Sequence, residues 1–111
     1  LIFPGAHGDV GGGYPMTNGE SGLSDGALQW LVDQLRAAGV RFEAGSGYPV
    51  NARADTTAHQ PWIHQPWSLI PDLRLRRRTF PAGLQEDASV ASRMAAGPVR
   101  ADPSAKPAPY A

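Results

Sequence analysis

The stretch Phe3-Pro4-Gly5-Ala6-His7-Gly8-Asp9-Val10-Gly11-Gly12-Gly13-Tyr14 gives six of its twelve positions to glycine or proline. So much backbone freedom predicts a loop that turns sharply, with one histidine and one aspartate set into it. The same bias runs through the chain, which has 13 glycines and 11 prolines among 111 residues. An average chain gives roughly 12% to the pair. They gather in three loop-like zones, leaving little sequence for an apolar interior, so the chain is expected to need packing against further protein. It opens on the apolar run Leu1-Ile2-Phe3, as expected of the middle of something larger.

Ten basic residues balance ten acidic ones, so net charge points to no nucleic-acid partner. With no cysteine there is no disulfide framework and no thiolate zinc site. Such a chain suits both cytosolic folding and export. No apolar run approaches the ~20 residues of a membrane span, and no signal peptide is visible.

Residues 1–4 read as the end of a buried strand stopped by Pro4. Residues 5–22 read as a long loop, with Asn18-Gly19 as a further turn signal. A helix is predicted over 24–38. Ser24 serves as its N-cap, Asp25 complements its positive end, and Gly39 stops it. Ala27, Leu28, Leu31, Leu35 and Ala38 recur at helical spacing, and Trp30 widens what reads as a core-facing stripe. Val40 to Glu43 alternates as a short strand or extended exit, and residues 44–72 read as loop. That loop holds a doubled His-Gln-Pro-Trp, His59 to Trp62 and His64 to Trp67, too short a unit for a solenoid. Residues 73–76 alternate like a half-exposed strand, and residues 86–96 carry a short helical pattern ended by Gly97-Pro98. The alanine- and proline-rich segment 97–111 reads as a tail or linker.

His7 is the candidate for chemistry. A histidine directly after a strand sits where open α/β sheets gather reactive groups. In the α/β-hydrolase order of Ser, then Asp or Glu, then His, it would follow a late strand. Gly11, Gly12 and Gly13 can turn N–H groups inward as an anion concavity. Asp9 is too near His7 in sequence to be the triad acid and reads as a residue that holds the loop by accepting backbone N–H groups, with a metal or substrate-orienting ligand as the alternative. On spacing alone, a glycine-rich turn that merely contains a histidine is the favoured reading.

The segment FPGAHGDVGGGYP, followed by GLSDGALQWLVDQLRAAGVRF, resembles the catalytic-domain family of type VI secretion phospholipase effectors. The likeness covers residues 3–42, and Ala88 to Met94 carries a weaker family feature. It implies that His7 is the triad histidine, and that Asp9, Gly11, Gly12, Gly13 and Tyr14 shape its loop. The fold implied is the C-terminal part of an α/β-hydrolase: late strand, catalytic-His loop, helix, then an irregular segment with a short helix, over residues 1–96. The activity implied is serine-dependent hydrolysis of phospholipid esters, without cofactor or metal. Implied partners are the Ser- and Asp-bearing remainder of the hydrolase, a phospholipid substrate, and a secretion-apparatus or immunity protein. The setting implied is bacterial, with synthesis in the cytoplasm and delivery as a toxin.

The chain departs from the family where the nucleophile should be. It has no Gly-x-Ser-x-Gly elbow; Gly19-Glu20-Ser21-Gly22-Leu23 and Gly45-Ser46-Gly47 have the wrong spacing. Ser21 and Ser24 read as cap or turn residues. The chain alone is therefore expected to be inactive, and the competing reading is a truncated homologue that binds without catalysis. A calcium loop on Asp9 fails for want of the 6–8 oxygen ligands such a site takes. The doubled His-Gln-Pro-Trp reads as a stiff loop laying tryptophans on the body, with a lipid-contacting lid as its alternative. His59 and His64 lack the company a metal needs. Arg74 and Arg76 to Arg78 read as a solvated edge, with lipid head groups as the alternative.

Overall fold

The computed structural model describes residues 1–45, 47, 49–61, 65–70 and 80–96. Three helices order them: α1 (His7–Gly11), α2 (Gly22–Ala37) and α3 (Ala88–Ala96), with short 3₁₀ turns at Thr17–Gly19 and Trp67–Leu69. The expected α/β architecture is not formed, because the described residues contain no strand and no sheet. Residues 1–4 make a single parallel bridge, Ile2 to Glu86. Ile2 N–H donates to the Gln85 carbonyl at 2.8 Å, and Asp87 N–H donates to that of Ile2 at 2.9 Å. Pairing stops there for a local reason on each side. Pro4 has no N–H to continue the ladder. Asp87 turns instead into the cap of α3, its Oδ1 accepting from Ser89 N–H at 2.9 Å.

The predicted long helix forms, but two residues early. Ser21 precedes it, and the Ser21 hydroxyl donates to Asp25 Oδ2 at 3.2 Å while the Ser24 hydroxyl donates to the Ser21 carbonyl at 2.9 Å. Ser24 thus lies inside the first turn rather than capping it. At the other end Gly39, at φ 92°, closes a Schellman motif. Its N–H donates to the Arg36 carbonyl, and that of Val40 to Leu35, both at 2.9 Å.

Helix α2 does not bury the stripe expected of it. Leu23 is 4% exposed, but Trp30 is 38% and Leu31 47% exposed, and Leu35 is also open to solvent. Phe3 meets Trp30 edge-on at 5.6 Å, yet the described residues bring no broad apolar surface against this face. Val40 to Glu43 forms neither strand nor bridge and is exposed. The strand expected at 73–76, the arginines at 74 and 76–78, Trp62, His64 and the tail 97–111 lie outside the described residues.

What is buried is mostly polar. Leu23 and Ala58 are the buried hydrophobic side chains, whereas Asp9, Asp25 and Arg93 are almost wholly enclosed. Residues 51–60 act as a strap that satisfies these groups, which a buried charge demands. Asn51 N–H donates to Asp25 Oδ2 at 3.0 Å, and Arg53 N–H to the Gly22 carbonyl at 3.0 Å. From α3, Arg93 donates through Nη1 to the Ala54 carbonyl at 3.1 Å and to that of Thr56.

Candidate functional site

The glycine-rich segment is not loop throughout. Residues 7–11 form the five-residue α1, started by Ala6 and held by Asp9, which reaches back to accept the Ala6 N–H on Oδ2 at 2.8 Å. This is half of a capping box, with an aspartate at the third helical position satisfying the N-cap amide. His7 is the first residue of α1, lying between Ala6 and Asp9, and its side chain is exposed. The expected geometry of a histidine at the end of a sheet strand is therefore absent, since no strand precedes it.

Asp9 is the hub. Besides Ala6 it meets His59, fifty residues on, twice: His59 N–H donates to Oδ2 at 3.1 Å, and His59 Nδ1 stands 2.6 Å from Oδ1. A carboxylate offers acceptors, so the ring proton belongs on Nδ1. Tyr14 lies flat on the imidazole, centroids 3.3 Å apart and planes within 4°. On the ring's other edge Nε2 is enclosed without a hydrogen bond, and Glu20 Oε2 stands 3.7 Å away. Burial, and then the negative charges of Asp9 and Glu20, raise the Tyr14 phenol above its ordinary value of 10.0.

This cluster explains most of the opening motif. A Cβ on Gly5 would come within 2.4 Å of the Asp9 Cβ, and one on Gly8 within 2.7 Å of the Tyr14 ring. Gly11 ends α1, and Gly12 N–H is taken by the Gly8 carbonyl at 2.9 Å, so it is not free to face an anion. Gly12 and Gly13 have positive φ and open space around them. Sequence reasoning missed His59 as a member of the site. Its one signal was a place in the doubled His-Gln-Pro-Trp, which says nothing about Asp9.

Asp9 and Glu20 approach opposite edges of the imidazole and do not converge on a common point. Among the described residues no three His, Asp or Glu side chains are placed to hold a metal ion. Two hollows there, of about 210 and 300 Å³, are lined around Asp25 and Thr56 and around Leu23 and Ser89. Neither is lined by His7, although Pro4 of the motif lines the second. No helix among the described residues is long and apolar enough to cross a membrane. Compared with protein-family models, with curated proteins and with solved structures, the chain gives no match.

Proposed function

We propose that this chain supplies the histidine of a serine-dependent, lipase- or phospholipase-like ester hydrolase, with His7 as the general base. The reading does not depend on a sheet. It is supported by one contrast: of the two histidines whose place is described, His59 is enclosed by Asp9, Tyr14 and Glu20, while His7 faces solvent from a turn fixed on both sides. A base must reach its proton, and a fixed backbone with an exposed imidazole meets that need. In the proposed reaction His7 takes the proton from a serine hydroxyl as it attacks the ester carbonyl. It then returns that proton to the departing alcohol, leaving an acyl-enzyme for water to cleave.

The serine and the triad acid belong to a segment or partner outside these 111 residues, since no Gly-x-Ser-x-Gly is present. The exposed apolar half of α2 offers a face for it. The substrate class, phospholipid, follows from the motif resemblance, as does delivery as a bacterial effector opposed by an immunity protein. The test is release of fatty acid from phospholipid vesicles by the intact polypeptide that carries this chain, with His7→Ala beside wild type. A loss of at least 10²-fold is expected, the usual contribution of a positioned base. Equal turnover by His7→Ala would remove His7 from the chemistry. No turnover by wild type would favour the non-catalytic binding module.

A further inference from the structure

We propose that His59 is a positioning residue for His7, acting through Asp9. The inference rests on the hydrolase reading above and adds to it a residue from outside the motif. His7 has Ala6 on one side and Asp9 two residues on, and Asp9 Oδ2 is shared between the Ala6 and His59 amides at 2.8 and 3.1 Å. The His59 ring locks the other oxygen, Oδ1, at 2.6 Å. The carboxylate therefore cannot rotate without breaking its tie to the residue just before His7. Tyr14 is pressed on the ring and fills the space above Gly8, the residue just after His7. So the backbone on both flanks of His7 is referred to one imidazole, fifty positions beyond Asp9.

His59 itself is not placed to touch substrate. Its side chain is 9% exposed, Tyr14 covers a face, Asp9 occupies Nδ1, and Nε2 is enclosed near Glu20. The groups around it are Asp9 from α1, Tyr14 from the loop after it, and Glu20 from the end of the 3₁₀ turn. Its work is to hold the aspartate. Misplacing a reacting group by about 1 Å can cost about 10²-fold in rate, so such a hold has a catalytic consequence without contact.

Two near-isosteric substitutions separate the roles. The amide nitrogen of an asparagine falls where Nδ1 stands and can still donate to Asp9, while that of a glutamine falls near Nε2 and cannot. In the intact polypeptide, His59→Gln is expected to lower kcat for phospholipid hydrolysis by about 10²-fold while KM changes little. His59→Asn should recover most of that loss. The acid limb of the kcat/KM profile, which reports the base, should persist in His59→Asn. Hydrogen exchange at the Ala6 amide gives a readout independent of activity: faster in His59→Gln, near wild type in His59→Asn.

Wild-type kcat and wild-type Ala6 exchange in His59→Gln would overturn the proposal. So would a His59→Asn variant as inactive as His7→Ala with its acid limb gone, since His59 would then be the base itself. If wild type hydrolyses nothing, the hydrolase reading fails and the exchange arm still decides. Ala6 protection kept by asparagine and lost with glutamine supports His59 as the residue that fixes this turn, and protection unchanged in both overturns it.

Discussion

The two ends of α2 belong to one helix and meet opposite surroundings. Its first turn, Gly22 to Asp25, is buried and laced to the strap through Asp25 and the Gly22 carbonyl. Its later turns present Trp30, Leu31 and Leu35 to solvent. By the ordinary logic of burial the leucines should have been the anchored end. The difference teaches that position here is set by a few enclosed polar groups, each with designated donors or acceptors, rather than by apolar area. Such groups specify geometry sharply because an unmet one is costly.

The contrast can be broken at its strongest point first. Asp9→Ala removes the acceptor shared by Ala6 and His59 and should cost about 3–5 kcal/mol of unfolding free energy, measured by denaturant titration. Arg93→Met comes next, about 2–4 kcal/mol in the same titration, since the Ala54 and Thr56 carbonyls lose their donor. Gly22→Ala drives a Cβ to 2.4 Å from the Thr56 hydroxyl and should cost about 1–3 kcal/mol. Combining it with Thr56→Ala should cost less than the two changes summed, because the closest contacts, with the Thr56 hydroxyl and methyl, are then gone.

Alkaline titration reads the cluster more gently. The raised Tyr14 value means the fold favours the neutral phenol. That stability is complete below pH 10.0 and is lost as pH rises through the higher folded value. The phenolate absorbance that disappears in Tyr14→Phe should therefore emerge above pH 10.0. The smallest effect belongs to the exposed end: Leu31→Ser should change the stability of this chain by no more than about 0.5 kcal/mol. A much larger cost would show that this face is covered.

How far the sequence could be read follows the same division. The body of α2 was legible because leucine spacing and Gly39 are local signals, and α3 because its periodicity is local too. The start of α2 was misplaced because Ser21, Ser24 and Asp25 each have the chemistry of a helix start. Only the strap's Asn51 shows which arrangement wins. Leu1 to Pro4 looked like a strand because apolar runs do, but a strand needs a partner that continues, and Glu86 pairs once before α3 begins. Asp9 was readable as a loop-holder from its type and place. Its partner was not, because no rule of spacing links an aspartate to a histidine in another irregular segment. Trp30 was misjudged for the opposite reason, as helical periodicity says which face is apolar and not whether anything covers it.

The Asp9–His59 tie spans fifty positions, and that separation bears on whether the motif can be transplanted. Closing a chain segment of this length costs about 3.5 kcal/mol of entropy before any contact repays it. A peptide of residues 1–22 would carry every letter of the glycine-rich signature and the Ala6–Asp9 bond, but not the ring that locks Asp9. A designer wishing to move this histidine turn onto another scaffold must therefore carry a second, distant piece along with it. The portable unit is a pair of segments, and the string of glycines is only its visible half.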